Sequence, residues 1–271
     1  MVVMKIKYTA GTDIGKKYKH NEDNFFVPKS KKNVIHISTN SATYFILCDG
    51  MGGANSGEVA SQLTVNWLAQ SISDITNSKF RITKLLSKIS INNKHNSLNS
   101  KIEHSIYEIN AKIYELSQKH DQYTGMGTTL VTSVFWNNKL FLHSVGDSRC
   151  YRYRENDLQQ LTEDQSEVWE LYKMGAISKD DIRTHPRNNI ITMSLGTAKN
   201  VKINSYDYDI QIDDIFLMCS DGLTDMISDQ EIVEILKDKT SLDSASKELI
   251  YAALEAGGRD NVTVILIEVD K

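Results

Sequence analysis

Acidic residues recur in this sequence where apolar, strand-like runs begin or end. The five segments are Asn21–Asn24, Asp49–Gly50, Gly146–Asp147, Asp221–Gly222 and Asp260–Asn261. A single Asp-Gly after a strand is a common turn, because Asp bonds its own backbone and Gly accepts a positive φ. Five such segments indicate more than turns, since strands of one sheet that end on the same side would bring their carboxylates together.

Clustered carboxylates predict a metal site. Like charges held close together raise the pKa of at least one group, unless a cation offsets the charge. A set made only of oxygen ligands suits Mg²⁺ or Mn²⁺, whereas zinc would recruit His or Cys. Two such ions about 4 Å apart can share a bridging hydroxide and offset charge on phosphoryl oxygens. The pattern therefore indicates a di-metal hydrolase and leaves its substrate open.

Runs rich in β-branched and aromatic residues predict the strands that position these segments. The predicted strands are 25–27, 44–48, 129–136, 140–145, 150–154, 201–208, 215–219 and 262–269. Helical periodicity predicts helices at 57–73, 98–119, 163–174, 229–237 and 242–256. Loops are expected at 29–41 and 92–100, and a hairpin turn at Asn137-Asn138. Strands in runs, with helices in pairs between them, favour an α+β fold with antiparallel sheets.

The bulk properties favour a soluble intracellular protein that does not bind nucleic acid. The chain has 271 residues, a formal net charge of −4 and 40% hydrophobic residues. We expect one domain, 1–271, and no nucleic-acid partner, which would call for a basic surface. The N-terminus is too quickly charged for a signal peptide, and no apolar run reaches the roughly 18 residues that span a bilayer. Cys48, Cys150 and Cys219 are expected to be buried and unpaired, so a reducing cytoplasm is predicted.

Motifs along nearly the whole chain resemble the protein phosphatase 2C family, also called PPM phosphatases, and especially its compact bacterial members. They are Thr12–Gly15, Asn21–Asp23, Asp49–Gly53, Gly127–Thr129, Gly146–Arg149, His185–Arg187, Ser220–Leu223 and Asp260–Asn261. The resemblance implies a four-layer α/β/β/α sandwich of two antiparallel β-sheets flanked by helix pairs. It also implies a flap at about 164–190, beside the site.

The resemblance further implies a role for each acidic residue. Asp49 would bridge two Mn²⁺ or Mg²⁺ ions, Asp221 and Asp260 would complete the first site, and Glu22 with the Gly50 carbonyl would serve the second. Asp147 and Asp221 would hold a third, weaker ion. Glu22, Asp49, Asp221 and Asp260 are therefore the expected catalytic residues. Asp23 and Thr129 would orient the ligands.

Two positions depart from the family pattern. Relatives usually place an arginine three residues before the Asn of Asn21–Asp23 to bind the substrate phosphate, and here that residue is Tyr18. Lys17, Tyr18, Lys19 and His185 are the candidate substrate-binding residues, although solvated lysines are an equal alternative for Lys17 and Lys19.

The second departure is a histidine that many relatives carry near the Asp-Gly-Met-Gly-Gly motif. Met51 and Ala54 stand at those positions here. A metal-bound water is then the first candidate for the acid and His185 the second, and loss of a general acid slows an enzyme by about 10²–10⁴-fold without silencing it. The remaining histidines, His20 among them, are expected to be structural or on the surface.

The function expected from the resemblance is hydrolysis of phosphoserine and phosphothreonine on proteins, by direct attack of the metal-bridging hydroxide. One alternative is a weakly active or inactive phosphatase fold that binds phosphoprotein in a regulatory role, which Tyr18 supports. Another is a different metal-dependent hydrolase such as a nuclease, which the acidic charge disfavours. A cognate serine/threonine kinase, a role in signalling and a monomeric state are expected from the family.

Overall fold

The computed structural model describes residues 4–30, 33–36, 42–52, 56–83 and 91–271. The side chains of 78–83 and 91–97 lie outside that description. Within the described chain the strands form two large antiparallel sheets and one short ribbon. Helices cover the outer face of each large sheet, so the predicted α+β sandwich is confirmed.

The first sheet has six strands in the described chain. In spatial order they are β10 (Asp157–Gln160), β9 (Arg149–Arg154), β12 (Ile215–Cys219), β13 (Val262–Asp270), β1 (Lys5–Asp13) and β3 (Val34–His36). Each pairing is antiparallel. Strands distant in sequence are therefore neighbours at the centre of this sheet, where β13 lies between β12 and β1.

The second sheet has five described strands, again antiparallel. Their spatial order is β11 (Asn204–Asp209), β8 (Lys139–Val145), β7 (Leu130–Trp136), β4 (Thr43–Cys48) and β2 (Asn24–Phe26). A short ribbon pairs β5 (Gly50–Met51) with β6 (Gly127–Thr128). The ribbon continues β4 and precedes β7, so it extends the end of the sheet where Asp49 lies.

Helices follow the predicted pairs. They are α1 (Ser56–Thr83), α2 (Ile91–Lys119), α3 (Glu167–Lys173), α4 (Asp221–Thr224), α5 (Asp229–Lys237) and α6 (Leu242–Glu255), with a 3₁₀ turn at Asp121–Tyr123. Ser228 and Glu231 form a reciprocal capping box at the start of α5, which satisfies backbone donors that a helix leaves free. None of the described helices has the length and hydropathy to cross a lipid bilayer.

Three buried apolar clusters fill the spaces between the four layers. Strand periodicity explains this arrangement, because successive side chains point to opposite faces of a sheet. In β7, Val131 and Phe135 face the first sheet, whereas Leu130 and Val134 face α1 and α2. The third cluster joins the outer face of the first sheet to α5 and α6. Both faces of each sheet are thus buried, and function is left to the strand ends.

Most predicted elements are confirmed within a few residues. Ile215–Cys219 and Asp229–Lys237 have the predicted bounds, and positive φ angles of 53° and 61° at Asn137 and Asn138 confirm the hairpin turn. The loop predicted at 92–100 is wrong, since α2 already begins at Ile91. The loop expected at 29–41 contains β3, and 31–32 and 37–41 lie outside the described residues. The cysteines are buried and unpaired, as predicted.

Candidate metal centre and phosphate site

The acidic residues singled out by the sequence meet around one cavity of about 530 Å³, called here the acidic cavity. Its lining among the described residues is Tyr18, Lys19, His20, Glu22, Asp49, Gly50, Met51, Gly52, Thr129, Asp147, Asn189, Ile191, Asp221, Asp260 and Asn261. Every residue predicted to hold a metal ion is in this set. Whether these residues act as ligands stays a prediction.

The carboxylates come from both sheets. Asp49 directly follows β4 and Asp147 closely follows β8, and both strands belong to the second sheet. Glu22 precedes β2 of the same sheet. The other two carboxylates adjoin strands of the first sheet. Ser220 follows β12 and is the N-cap of α4, which begins at Asp221, and Asp260 precedes β13. The acidic cavity therefore lies where strand ends of the two packed sheets converge, whereas the sequence pattern predicted that strands of one sheet would bring the carboxylates together.

The backbone of Asp49 is held in place by two threonines. The Asp49 N–H donates to Thr129 Oγ1 at 2.9 Å, and the Thr129 N–H donates to the Asp49 carbonyl at 2.8 Å. Thr128 Oγ1 donates to that same carbonyl at 2.8 Å. Thr129 is itself fixed by a hydrogen bond between its hydroxyl and Ser148 Oγ, 2.7 Å away. The turn after β4 is thereby fixed, and so is the direction in which the Asp49 side chain leaves it.

Glu22 and Gly50 are brought together by close backbone packing. The Gly50 N–H donates to the Glu22 carbonyl at 3.2 Å, and Ser61 Oγ donates to that carbonyl at 2.6 Å. A Cβ on Gly57 would lie 2.3 Å from Glu22 Oε2, and a Cβ on Gly50 would lie 2.3 Å from the Gly57 carbonyl. Only glycine fits at these two positions, because any side chain would push the backbone at the cavity apart.

Asp23 lies behind the cavity and joins the chain segments next to Asp221 and Asp260. Its Oδ2 accepts hydrogen bonds from Ser220 Oγ at 2.8 Å and from Thr263 Oγ1 at 2.6 Å. Burial raises the pKa of Asp23 to about 7, although these two hydrogen bonds oppose the rise. The side chain is 7% exposed and does not line the cavity. Its contacts suit a residue that positions others.

The electrostatics of the cavity favour a bound cation. Burial raises the pKa of Asp49 and Asp147 well above the ordinary range, and neighbouring carboxylates raise both further. Burial, followed by a neighbouring aspartate, raises the pKa of Asp221 and of Asp260 to about 6. The pKa of Glu22 is raised for the same two reasons. A divalent cation would offset this repulsion and keep the carboxylates ionised.

The donor set fits a hard cation that keeps part of its hydration shell. Asp221 Oδ1 is buried and has no hydrogen-bond partner, and such an atom calls for a positively charged or hydrogen-bonding neighbour. Across the described residues, no three His, Cys, Asp or Glu side chains group closely enough to hold an ion by themselves. Spaced carboxylates with a backbone carbonyl and water suit Mg²⁺ or Mn²⁺, which retain waters in protein sites.

The structure places only two of the four candidate phosphate-binding residues in the lining of the cavity. Tyr18 and Lys19 line the acidic cavity, but Lys17 and His185 do not. The Lys17 ammonium lies 3.3 Å from the Tyr18 hydroxyl and 4.9 Å from the centre of its ring, so it packs against Tyr18. His185 Nδ1 accepts the Arg187 N–H at 3.2 Å. Lys19 is therefore the better placed of the two lysines.

Sequence reasoning missed three residues of the cavity. His20 was expected to be structural or on the surface, yet it lines the cavity beside Lys19. Asn189 and Ile191 also line it, and they follow the His-Pro-Arg motif without a motif of their own. The position of His20 next to Asn21–Asp23 was the available signal. Met51 lines the cavity as well, whereas Ala54 lies outside the described residues.

The segment predicted as a flap is fastened to the site at both of its ends. The Gln165 N–H donates to the Gly146 carbonyl at 2.9 Å, and Thr192 N–H donates to the Gln165 carbonyl at 2.7 Å. Near the other end, Asn188 Nδ2 donates to Asp225 Oδ2 at 2.8 Å. Its single helix, α3, is capped by Ser166. The start of the segment is therefore hydrogen-bonded to the turn that carries Asp147.

Comparison with known proteins places this arrangement in a family. The family model for protein phosphatase 2C matches residues 16–256. The chain is 37% identical over 259 residues to the serine/threonine phosphatase stp of Listeria monocytogenes serotype 4b (strain F2365), covering 96% of this chain and 94% of the relative.

Solved structures agree with this relationship. The serine/threonine phosphatase of S. agalactiae superposes with a TM-score of 0.81 at 33% identity, covering 98% of this chain and 100% of that one. The catalytic domain of the serine/threonine protein phosphatase PstP, crystallised with two manganese ions, gives a TM-score of 0.79 at 29% identity over 99% and 100% of the two chains. By sequence and fold, this chain belongs to the protein phosphatase 2C family.

Proposed function

We propose that the carboxylates of the acidic cavity hold the two divalent ions with which this protein serine/threonine phosphatase hydrolyses phosphoserine and phosphothreonine monoesters. The observation that carries the proposal is the convergence of Glu22, Asp49, Asp147, Asp221 and Asp260 from two sheets onto one cavity. In this assignment Asp49 would contribute to holding both ions. Asp221 and Asp260 complete one site, and Glu22 with the Gly50 carbonyl serves the other.

Two Mn²⁺ or Mg²⁺ ions in this cavity would activate water for attack on phosphorus and offset charge on the phosphoryl oxygens. The chain's own contribution is positioning. Thr129 fixes the Asp49 backbone, and Asp23 holds the ends of β12 and β13 through Ser220 and Thr263. Such supporting contacts typically matter about 10- to 100-fold in metal affinity or activity. Asp147 and Asp221 form the place for a third, weaker ion.

Phosphate binding falls to groups other than an arginine. Lys19 and His20 line the cavity on one side, and Tyr18 presents a hydroxyl that already contacts Lys17. An ammonium binds phosphate as a point charge, without the bidentate geometry of a guanidinium. We therefore assign Lys19 as the main charge that meets the substrate phosphate, and we place Lys17 and His185 outside direct contact.

The remaining proposals concern the setting of the enzyme. We propose a single catalytic domain over 1–271, with a flap at 164–190 that is attached through Gln165 and Asn188. Phosphorylated proteins are the substrates, and a serine/threonine kinase that makes them is the expected partner in signalling. A monomer in the bacterial cytoplasm, without nucleic-acid or membrane partners, is the proposed state.

One experiment separates an active phosphatase from a module that only binds phosphoprotein. Purified protein with saturating Mn²⁺ should hydrolyse p-nitrophenyl phosphate and a phosphothreonine peptide, and chelator should stop both reactions. Loss of one ligand carboxylate removes several kcal/mol of charge stabilisation, so Asp221→Asn should be roughly 10²- to 10³-fold slower. Equal, negligible rates for wild type and Asp221→Asn would refute the enzyme assignment. Cleavage of plasmid DNA under the same conditions would favour a nuclease.

A further inference from the structure

One part of the cavity lining is apolar. Tyr18, Met51 and Ile191, called here the apolar rim, line the same cavity as the carboxylates. Tyr18 is 46% exposed, and Met51 and Ile191 are partly exposed. None of the three belongs to the buried apolar clusters of the described chain or packs against them. Their apolar surface therefore serves no evident purpose in the core.

Each residue of the apolar rim is held by its own backbone or side-chain contacts. Met51 pairs with Gly127 in the ribbon of β5 and β6. Ile191 forms a β-bridge with Ser166. The Tyr18 ring is covered by the Lys17 ammonium at 4.9 Å. Because backbone pairing fixes Met51 and Ile191, these two positions are preorganised, and binding against them costs little ordering.

A bound phosphopeptide would bring particular side chains to this surface. In an extended peptide, alternate side chains lie on one face, and residues two positions apart are about 7 Å apart along the chain. When the phosphoresidue points toward the carboxylates, the side chains two positions away point the same way, whereas the adjacent ones point outward. Recognition of extended peptides commonly relies on such alternate side chains.

We infer that the phosphatase prefers phosphopeptides with a large apolar side chain two positions from the phosphoresidue, received by Tyr18, Met51 and Ile191. The inference rests on the proposed function and names a substrate class for the same site. Partial burial of a leucine on an open surface should raise kcat/KM about tenfold over alanine. A carboxylate side chain at that position would lose hydration against the apolar rim, and the Lys17 ammonium beside the rim already packs on the Tyr18 ring.

The test compares phosphothreonine peptides in one Ala/Gly/Ser background. Leu, Ala or Glu is placed at −2, −1, +1 or +2, and kcat/KM is measured with saturating Mn²⁺. We expect Leu to exceed Ala about tenfold at −2 or +2, with Glu below Ala there, and little effect at −1 and +1. Equal values for Leu and Ala at both −2 and +2, or a preference for Glu, would overturn the inference.

Variants connect the preference to the apolar rim. In Ile191→Ser and Tyr18→Ser, the Leu-to-Ala ratio of kcat/KM should fall toward one. This ratio is independent of the fraction of protein that is folded, because both peptides are assayed on the same preparation. Met174→Ser is the matched control: Met174 is 77% exposed in the flap and does not line the cavity. A full Leu preference in both rim variants would contradict the assignment of the surface.

The function and the inference can fail separately. Mn²⁺-dependent hydrolysis of p-nitrophenyl phosphate and of the Ala peptide establishes the phosphatase without involving a flanking side chain. If these reactions proceed and the Leu preference is absent, only the inference is wrong. If neither substrate is hydrolysed at any Mn²⁺ concentration, the proposed function is refuted, and the inference fails with it.

Discussion

The side-chain carbonyl of Gln165 accepts the Gly146 N–H at 2.8 Å, while the Gln165 N–H donates to the Gly146 carbonyl at 2.9 Å. Gln165 Nε2 also donates to the Lys202 carbonyl at 2.9 Å. Gly146 has a φ of 95° and precedes Asp147, so this pair of residues joins the start of the flap to a turn of the acidic cavity. The geometry of Asp147 therefore depends on a side chain outside the predicted ligand set.

Gln165→Ala should destabilise the fold and reduce activity. The substitution leaves the buried Gly146 N–H without its acceptor, which costs about 1–3 kcal/mol in the free energy of unfolding. Urea unfolding measures that loss, and assays with Mn²⁺ measure the accompanying fall in kcat. Gln118→Ala, at an exposed position in α2, is the control and should stay within about 0.5 kcal/mol of wild type. Equal unfolding free energies for the two variants would contradict the structural role of Gln165.

Mn²⁺ should stabilise the wild type more than the Asp221→Asn variant. An ion that binds only the folded state adds about 2.7 kcal/mol at a concentration 100 times its Kd. Without metal, Asp221→Asn should be the more stable protein, because it lacks one of several carboxylates that repel one another in the cavity. Thermal unfolding with chelator and with Mn²⁺ measures both differences, and the order of the two melting temperatures should reverse.

Asp243→Asn provides the matched control for this reversal. Asp243 pairs with Lys247 on the surface of α6, and its side chain is 66% exposed. The same change of charge at this position should leave the Mn²⁺-dependent shift as in wild type. An Asp221→Asn protein that Mn²⁺ stabilises as strongly as wild type would remove Asp221 from the ligand set.

Tyr18→Arg should lower KM for p-nitrophenyl phosphate. Tyr18 already lines the cavity, and a guanidinium there offers planar, bidentate hydrogen bonds to phosphate that a tyrosine cannot make. Steady-state kinetics should show the change mainly in KM, because the new contact binds ground and transition states alike. Tyr18→Lys adds a charge without the planar geometry and should have a smaller effect. An unchanged KM in Tyr18→Arg would mean that Lys19 or another group already makes the contacts that the substrate phosphate can accept.

The alternation of apolar residues and the motifs predict much of the fold, and each element that they do not predict has a physical cause. The strand Lys5–Asp13 escaped prediction because Ala10, Gly11 and Thr12 interrupt its apolar alternation, and its partners in β13 are about 250 or more positions away. The helix at Ile91 was read as a loop because Asn and Ser are weak helix formers, and tertiary packing outweighs such preferences.

The residues that line the cavity likewise divide into those that the sequence predicts and those that it does not. Carboxylates at strand ends are visible in sequence because each is next to a glycine or asparagine where an apolar run begins or ends. Ile191 and Asn189 carry no such signal, since backbone hydrogen bonds such as that from Thr192 to Gln165 bring their segment to the cavity. Exclusion of Lys17 from the cavity also depends on a rotamer, which no sequence pattern specifies.

His143 should make the protein less stable in mild acid. Both ring nitrogens are buried without hydrogen-bond partners, and burial lowers the pKa of His143 to about 4 from an ordinary 6.5. Its neighbours across β7 and β11 are Thr132 and Ser205, which carry no charge. Because the unfolded chain takes up the proton first, stability falls as pH drops below 6.5, by about 3 kcal/mol at pH 4.

The measurement is urea unfolding of wild type and His143→Leu between pH 7 and pH 4. The variant should lose less stability over this range, and the difference between the two proteins isolates His143 from the carboxyl groups that titrate in both. His104→Leu removes an exposed imidazole from α2 and serves as the control. Parallel pH profiles for wild type and His143→Leu would show that His143 does not govern the acid sensitivity.

The acidic cavity draws its carboxylates from two sheets, and this arrangement has a mechanical consequence. Ions held by Asp49 on one side and by Asp221 and Asp260 on the other would act as a removable cross-link between β4 of one sheet and β12 and β13 of the other. With the cross-link in place, neither sheet can separate or unfold alone without giving up the ions. Metal supply would then determine both when the enzyme works and whether the two halves of the sandwich behave as one cooperative body.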